Sequence, residues 1–170
     1  MPKKTIKLRE VVPFDLDRCF EIERVAYHGD EAASREKISK RITAYPEGFV
    51  VLEIDGEVAG FINSGATHDV DLANDDFKEL KGHDPDGPHV VVLSVAIHPD
   101  HQGKGLANFL MEHFVSKMKT LNKTSIHLIC QTNLIAMYTK QGFHYIGPSA
   151  STHGGLKWHE MNMILLDPAA

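Results

Sequence analysis

The strongest constraint on the fold is a nearly continuous apolar run, Val90 to Ile97, followed by a glycine-containing turn and an amphipathic helix. An apolar run of this length that is rich in β-branched residues predicts a strand buried on both faces, at the centre of a sheet. The helix is expected to bury one face against that sheet. The residues assigned to that face are Leu106, Phe109, Leu110, His113, Phe114, Met118 and Leu121.

The remaining segments predict strands and helices in the overall order β-α-α-β-β-β-α-β-α-β-β. Asp55-Gly56 stands between two runs of strand-forming residues and indicates a hairpin. Asp15 and Ser34 are expected to cap the first two helices. This order predicts an α/β protein with a mixed central sheet, flanking helices and one parallel crossover through the helix at 106–121.

Composition is that of an ordinary globular protein, and we expect residues 1–170 to form a single domain. The net charge of −5 argues against nucleic acid or an anionic membrane surface as a partner. Two cysteines imply no disulfide framework, and the eleven histidines lack metal-ligand spacing, so no metal site is expected. Because neither a signal peptide nor an apolar run of ~20 residues is visible, a cytoplasmic location is expected.

The turn after the apolar run is suited to binding phosphate groups. Gly103 and Gly105 allow close approach of a ligand and backbone dihedrals that are closed to other residues. The free N–H groups of the first helical turn and the helix dipole add positive potential there, and Lys104 adds a charge. The spacing matches neither a nucleotide P-loop nor a dinucleotide-binding fingerprint.

These residues resemble a known family. The stretch Gln102 to Ala107 is similar to the pyrophosphate motif of the GNAT acetyltransferases, and Val95 to Pro99 is similar to the strand and bend before it. Downstream, Asn133, Ala136, Tyr138 and Gly142-Phe143 are similar to a later segment of that superfamily. The resemblance implies the GNAT fold and acetyl-CoA as cosubstrate, without a metal.

A narrower resemblance is to the serotonin (arylalkylamine) N-acetyltransferases. It rests on Phe20 to Arg24, on Tyr27, on the segment from Cys130 to Tyr138 and on the stretch from Gly147 to Met161. In that family, aromatic residues at the positions of Tyr27 and Trp158 line the pocket for the amine. The resemblance implies an N-acetyltransferase whose acceptor is a primary amine, arylalkylamine-like or polyamine-like, attacked without a covalent enzyme intermediate.

The resemblance also assigns roles to the site residues. Backbone groups of Val95 and Ile97 would hold the pantetheine arm, and the Val95 N–H would polarise the thioester carbonyl. Tyr138 would protonate the departing thiolate as the general acid. The full set of residues implied to bind the coenzyme is Val95, Ala96, Ile97, Gln102, Gly103, Lys104, Gly105, Leu106, Ala107, Asn108, Asn133 and Tyr138.

The general base is not supplied by the resemblance. The histidine pair of the serotonin N-acetyltransferases falls on Val91 and Leu93 here, and neither side chain can take a proton. His89 lies two residues before Val91 and therefore on the same strand face, so we hypothesise that it takes the proton of the amine. Glu23 and His28 are further candidates.

The segment from Thr67 to Pro88 is strongly acidic and carries seven carboxylates against two lysines. The preferred interpretation is a solvated surface connection with a short helix near 75–80. In the alternative interpretation the segment borders the acceptor pocket, and its carboxylates would attract a cationic amine. Three alternatives to a small-amine acetyltransferase stay open: a protein lysine or N-terminal acetyltransferase, a non-catalytic acyl-CoA-binding module, and an interaction domain. Edge strands near the C-terminus leave a homodimer open.

Overall fold

A computed structural model describes residues 4–27 and 32–165. The strands are β1 (Ile6–Glu10), β2 (Phe49–Ile54), β3 (Glu57–Thr67), β4 (His89–Ile97), β5 (Ser125–Cys130), β6 (His144–Pro148) and β7 (His159–Ile164). The α-helices are α1 (Leu16–Ala26), α2 (Arg35–Ala44), α3 (Leu106–Thr120) and α4 (Ile135–Lys140). Their order along the chain is the predicted one.

The strands form one mixed sheet in the spatial order β1-β2-β3-β4-β5-β7-β6. Only β4 and β5 are parallel, and α3 connects them as the predicted crossover. Asp55-Gly56 forms the β2–β3 hairpin turn, with positive φ at both residues. The predicted α/β fold with a mixed central sheet and flanking helices is confirmed.

The two predicted helix caps behave differently. The Ser34 hydroxyl accepts a hydrogen bond from the Lys37 amide, 3.3 Å away, and so begins α2 as expected. Asp15 stands directly before α1, but its carboxylate does not cap that helix. It accepts hydrogen bonds from the Arg9 guanidinium at 2.8 and 2.9 Å and from the Val12 amide at 2.8 Å. A charged partner from β1 therefore replaces the local cap.

The sheet has a hydrophobic core on each face. On one face α3 packs against the sheet through Leu110, Phe114 and Met118, while α1 and α2 cover the other face. The predicted apolar face of α3 is partly wrong, because Phe109 is 45% exposed, His113 is exposed and Leu121 is 38% exposed, whereas Met111 is buried. The sheet contacts a narrow stripe of residues on the helix, so side chains at the margin of that stripe remain in solvent.

The described helices include none that is both long and apolar enough to cross a membrane. The acidic connection, which we define as residues 67–88, contains one short 3₁₀ turn, Asp75–Glu79, close to the predicted position. Both cysteines are buried as free thiols. In this part of the chain, 4–27 and 32–165, no cluster of histidine, cysteine or carboxylate side chains is arranged to hold a metal ion.

Candidate active site

The two parallel strands at the centre of the sheet separate soon after they begin. Strand β4 pairs with β5 only from His89 to Val91, although each strand continues beyond that point and pairs with its other neighbour. A β-bulge opposite Asn63 and Ser64 adds to the bend of β4. The separation leaves the backbone of β4 from Val92 onward facing an open space rather than a strand.

This space is a cleft that passes through the middle of the sheet. Its volume is about 940 Å³, including the solvent space at its open mouth. Its walls come from α1, α2, the acidic connection, β4, β5, α4 and the connection between β6 and β7. We call it the central cleft. Of the residues implied to bind the coenzyme, Val95 and Tyr138 line it, and both implied acceptor residues, Tyr27 and Trp158, line it as well.

A second cavity of about 890 Å³, also counted to its open mouth, lies at the glycine turn. Gly103 and Gly105 have φ values of 78° and 77°, in the left-handed region that favours glycine. The first backbone amide bonded within α3 is that of Phe109, which donates to Gly105, so the preceding amides of the first turn are free for a ligand. The predicted residues that line this cavity are Ile97, Gln102, Gly103, Gly105, Leu106, Ala107 and Asn108.

This turn fits a pyrophosphate group. Its amides and the positive end of the α3 dipole supply hydrogen bonds and potential for an anion. The Gln102 side chain fixes the turn, because its amide nitrogen donates to the Ile97 carbonyl at 2.9 Å. The turn is therefore held rigidly at the end of β4, in the conformation that the glycines permit.

Three implied coenzyme residues do not line either cavity. Lys104 is exposed at the tip of the turn, and Asn133 is exposed on the 3₁₀ turn before α4. Ala96 is buried in the core beneath α1 and α2, since its side chain points to the opposite face from Val95. The alternation of side chains along β4 explains the position of Ala96, and the geometry of the two turns explains the positions of Lys104 and Asn133. The sequence motif alone specifies neither.

Tyr138 lies on α4 with its ring edge-on to Phe143, the two centroids 5.7 Å apart. Its hydroxyl makes no hydrogen bond to any described residue and is positioned in the wall of the central cleft. Burial raises the pKa of Tyr138 above its ordinary value. The hydroxyl therefore keeps its proton at neutral pH and has that proton to donate. By contrast, burial raises the pKa of the nearby Cys130 thiol to about 11, so no thiolate nucleophile is present there.

Tyr27 contacts the exposed edge of β4 directly. Its hydroxyl donates to the Val95 carbonyl at 2.6 Å and accepts from the Val95 amide at 3.0 Å. These are the backbone groups implied to hold the coenzyme arm and to polarise the thioester. On the opposite wall Trp158 is 9% exposed, and its indole N–H donates to the His153 carbonyl at 2.8 Å. Both implied acceptor residues thus lie in the central cleft, and Tyr27 is hydrogen-bonded to the Val95 backbone groups that the resemblance assigns to the coenzyme.

His89 lies beside the central cleft and does not line it. Its Nδ1 is 2.6 Å from the Ser125 hydroxyl, which in turn is 2.8 Å from Nε2 of His127. Burial, with a smaller contribution from His89, lowers the pKa of His127 to about 4, so this imidazole is neutral at pH 7. His127 stands opposite Val91 in the β4–β5 pairing, and Val91 lines the cleft. The three side chains form a hydrogen-bonded chain that ends next to the cleft.

His127 was missing from the sequence-based set of candidates. The available signal was the pair Ser125 and His127, two residues apart in a predicted strand and therefore on one face. Sequence spacing does not give the strand register that sets this pair against His89.

Of the other proposed bases, Glu23 lines the central cleft with 1% of its surface exposed and accepts a hydrogen bond from the Ala33 amide. His28 lies outside the described residues.

Arg41 is a second buried charge in the central cleft that sequence reasoning missed. It is only 2% exposed, and burial lowers its pKa to about 10. Its guanidinium donates to the Lys78 carbonyl, at 3.0 and 3.3 Å, and to the side-chain oxygens of Asn63 and Ser94, each at 3.3 Å. From the sequence, an arginine near the end of a helix is ordinarily read as a solvated residue.

The acidic connection contributes less charge to the cleft than its sequence suggests. Among its carboxylates only Asp71 lines the cleft, together with Lys78 from the same connection. Asp75 forms an ion pair with Lys78 at 2.9 Å, and a carboxylate oxygen of Asp84 is hydrogen-bonded to Nε2 of His68 at 2.9 Å. Asp84 also accepts from the Asp86 amide, which closes a local turn. These acids organise the connection itself rather than the wall of the cleft.

A sequence model of the acetyltransferase (GNAT) family matches residues 16–143. Among curated relatives, a protein of Bacillus subtilis described as a probable hydrolase is 25% identical over 133 residues, and an acetyltransferase of Pectobacterium atrosepticum is 26% identical over 106 residues. These stretches cover 73% and 61% of this chain but 26% and 62% of the relatives. The serotonin N-acetyltransferase of Macaca mulatta is 29% identical over 167 residues, which are 94% of this chain and 78% of that enzyme.

Solved structures show the same fold at low sequence identity. The GNAT-like decarboxylase GphF, in complex with isobutyryl-CoA, has a TM-score of 0.81 and 15% identity over 94% of this chain and all of that chain. YncA from Salmonella typhimurium, a putative acetyltransferase with its cofactor acetyl-CoA, has a TM-score of 0.68 and 21% identity over 97% of this chain and 96% of that chain.

The family match covers most of the chain and includes the glycine turn, the separated strands and Tyr138. The sheet order and the crossover agree with the solved structures. Together these findings show that the chain belongs to the GNAT acetyltransferases, an enzyme family whose cosubstrate is acetyl-CoA.

Proposed function

We propose that this protein transfers the acetyl group of acetyl-CoA to a primary amine by direct attack. The observation that carries the proposal is the separation of β4 from β5 beyond Val91. It exposes a strand edge that leads from the phosphate-binding turn at Gly103 and Gly105 to Tyr138. A coenzyme bound along that edge would have its pyrophosphate at the turn and its thioester beside the tyrosine.

The coenzyme would be held mainly by backbone groups. We assign the pyrophosphate to the amides of Gly103 to Asn108 and the pantetheine arm to Val95 and Ile97. The Val95 amide is also the proposed donor to the thioester carbonyl, where negative charge develops during attack. Because Tyr27 occupies the Val95 groups, its hydroxyl must leave them before the coenzyme can use them.

Tyr138 is the proposed general acid. The amine nitrogen forms a bond to the carbonyl carbon, the carbon–sulfur bond breaks, and the thiolate takes the phenolic proton. Its hydroxyl is protonated at neutral pH and makes no competing hydrogen bond to the described residues, so the proton is available to the leaving thiolate. General acid assistance of this kind accelerates reactions by about 10²- to 10⁴-fold.

The proton lost by the amine is assigned to the chain His127–Ser125–His89. His127 is neutral at pH 7, and it stands opposite Val91, which lines the central cleft. The hydroxyl of Ser125 lies within hydrogen-bonding distance of both imidazoles. His89, which we proposed from the sequence, is thus the far end of the relay rather than a group in contact with substrate. His89→Ala should lower activity mainly at low pH, and an unchanged pH–rate profile would contradict this assignment.

For the acceptor we propose an amine with an aromatic or extended apolar part, bound between Tyr27 and Trp158. Both rings line the central cleft and offer surfaces for stacking or for a cation. The similarity to serotonin N-acetyltransferase supports an arylalkylamine in particular.

We further propose that the protein is a single-domain enzyme of the cytoplasm. We propose that it forms a homodimer through β6, an edge strand on which Tyr145 and Ile146 are 47% and 58% exposed.

A second candidate reaction is decarboxylation of a carboxyacyl-CoA. It is favoured by the TM-score of 0.81 to the GphF decarboxylase, against 0.68 for YncA, and by the cation at Arg41 in the cleft. In that reaction a carbon–carbon bond breaks, carbon dioxide leaves, and a proton takes its place on the acyl group.

The two reactions are separated by their products. Purified protein is given acetyl-CoA with a panel of arylalkylamines, polyamines and lysine peptides, and the release of free thiol is followed. Malonyl-CoA without an amine is tested in parallel by mass spectrometry. Thiol release that depends on an amine and falls in Tyr138→Phe, but not in the exposed control Tyr145→Phe, supports the proposal. Acetyl-CoA formed from malonyl-CoA, without thiol release, supports the second candidate.

A further inference from the structure

The acceptor half of the central cleft contains a buried cation whose hydrogen bonds all go to neutral groups. The three acceptors of the Arg41 guanidinium are the Lys78 carbonyl, the Asn63 amide oxygen and the Ser94 hydroxyl. No carboxylate of a described residue lies within 4.0 Å of it. Against the larger effect of burial, the charge of the Glu23 carboxylate raises the pKa of Arg41, without an ion pair within 4.0 Å between the two side chains.

The charge of the cleft wall differs from that of the chain as a whole. The protein has a net charge of −5, yet three bases and two acids line the cleft. These are Lys37, Arg41, Lys78, Glu23 and Asp71. Lys78 is neutralised by Asp75, whereas Arg41 is the deepest of the three bases and 2% exposed. A buried guanidinium is costly unless an anion pairs with it. The four hydrogen bonds of Arg41 to protein oxygens leave one of its five N–H donors for a ligand carboxylate.

The position of Arg41 also limits the length of the ligand. Ser94, which accepts from Arg41, directly precedes Val95, the proposed donor to the thioester carbonyl. One residue along a strand spans about 3.3 Å. Because Arg41 is hydrogen-bonded to the residue next to Val95, we take one small ligand to be able to contact both Arg41 and the Val95 amide.

From this arrangement we infer that the acceptor is an amino acid, whose carboxylate binds Arg41 while its amine faces the thioester. This inference rests on the proposed acetyl transfer and narrows its acceptor from arylalkylamines and other amines to those that carry a carboxylate beside the amine. Tyr27 and Trp158 line the same cleft and would contact an aromatic side chain. A polyamine, which has no anionic group, would leave Arg41 without a counterion.

Matched acceptors test the inference directly. Each amino acid is compared with the amine that lacks its carboxylate: tyrosine with tyramine, phenylalanine with phenethylamine, and histidine with histamine. We expect kcat/KM to favour the amino acid by about tenfold to a hundredfold, as for one charge-assisted pair. Arg41→Gln should reduce that ratio towards unity, and Arg41→Lys should retain part of it. Lys40→Gln, an exposed neighbour on α2, should leave the ratio unchanged.

Arg41 also ties the acidic connection to the sheet, so its substitution affects stability as well as any contact with the acceptor. A ratio between two acceptors measured on one protein separates these two effects. Binding is measured separately by calorimetry, with the amino acid titrated into the CoA-bound protein and into its Arg41→Gln variant. Binding of amino acids, but not of the matched amines, supports the inference even if no turnover occurs, and in that case it is the proposed acetyl transfer that fails. Equal or better turnover and binding of the amines by the unmodified protein would overturn the inference and leave acetyl transfer standing.

Discussion

The candidate active site consists of the central cleft together with the cavity at the glycine turn, and its coenzyme half and acceptor half are built in different ways. The coenzyme half consists of one continuous segment, from β4 through the glycine turn into α3, and its polar groups are backbone amides. The acceptor half is assembled from α1, α2, the acidic connection and the β6–β7 connection, and its polar groups are side chains such as Glu23 and Arg41. A site made of backbone can keep its ligand while side chains change, whereas a site made of side chains from distant segments can change its ligand one residue at a time.

The largest expected effect tests whether the two halves meet at Tyr138. Tyr138→Phe removes the proposed proton donor and keeps the ring against Phe143. We expect kcat to fall by about 10²- to 10⁴-fold while the coenzyme Kd stays the same. Steady-state kinetics and calorimetry measure the two quantities. A drop in coenzyme affinity equal to the drop in kcat would instead make Tyr138 part of the coenzyme half.

The next effect tests the claim that the coenzyme half depends on backbone conformation. Gly105→Ala places a side chain at φ 77°, which costs about 1–2 kcal/mol of stability in the left-handed region. Because relief of that strain moves the amides of the turn, we expect the coenzyme Kd to rise about tenfold. Gly56→Ala is the matched control, since it has a φ of 85°, equally open surroundings and a position in the β2–β3 hairpin. If both variants bind the coenzyme equally well, the turn geometry is not what holds it.

A smaller effect tests a direct link from the acceptor half to the coenzyme half, the contact of Tyr27 with Val95. Tyr27→Phe removes both hydrogen bonds to Val95 and leaves that strand edge free for the coenzyme. Since a hydrogen bond of this type contributes about 0.5–1.5 kcal/mol, coenzyme affinity should increase about twofold to tenfold. Tyr145→Phe on the exposed edge strand is the control. Unchanged or weaker coenzyme binding by Tyr27→Phe would show that its hydroxyl does not compete with the coenzyme.

The smallest effect concerns the proposed proton relay through His127, Ser125 and His89, which lies beside the central cleft. The folded-state pKa of His127 is about 4, below its ordinary 6.5, so between these values the unfolded chain binds a proton that the folded protein does not. The free energy of unfolding should therefore decrease as the pH falls from about 6.5 towards about 4. In His127→Asn this decrease should be shallower, as measured by urea unfolding at neutral pH and near pH 5. If the free energy of unfolding falls equally with pH in both proteins, the lowered pKa assigned to His127 is contradicted.

Local sequence predicted the coenzyme half well. The buried strand, the positive φ of Gly103 and Gly105 and the start of α3 follow from residues within one short segment. The same local reasoning placed Ser34 correctly as a cap. It was wrong for Asp15, whose partner Arg9 belongs to β1, and for Phe109 and Leu121, because the width of the buried face of α3 depends on how the helix lies on the sheet.

By itself, the sequence determined the order of the elements, the glycine turn before α3 and the family, because each depends on residues that are neighbours along the chain. Only the tertiary structure decided that β4 and β5 separate beyond Val91, that His127 meets His89 through Ser125, and that Arg41 lies buried in the cleft. These features depend on strand register and on the packing of α2 against β3 and β4. Register and packing are set by contacts across the whole fold, and no single segment specifies them.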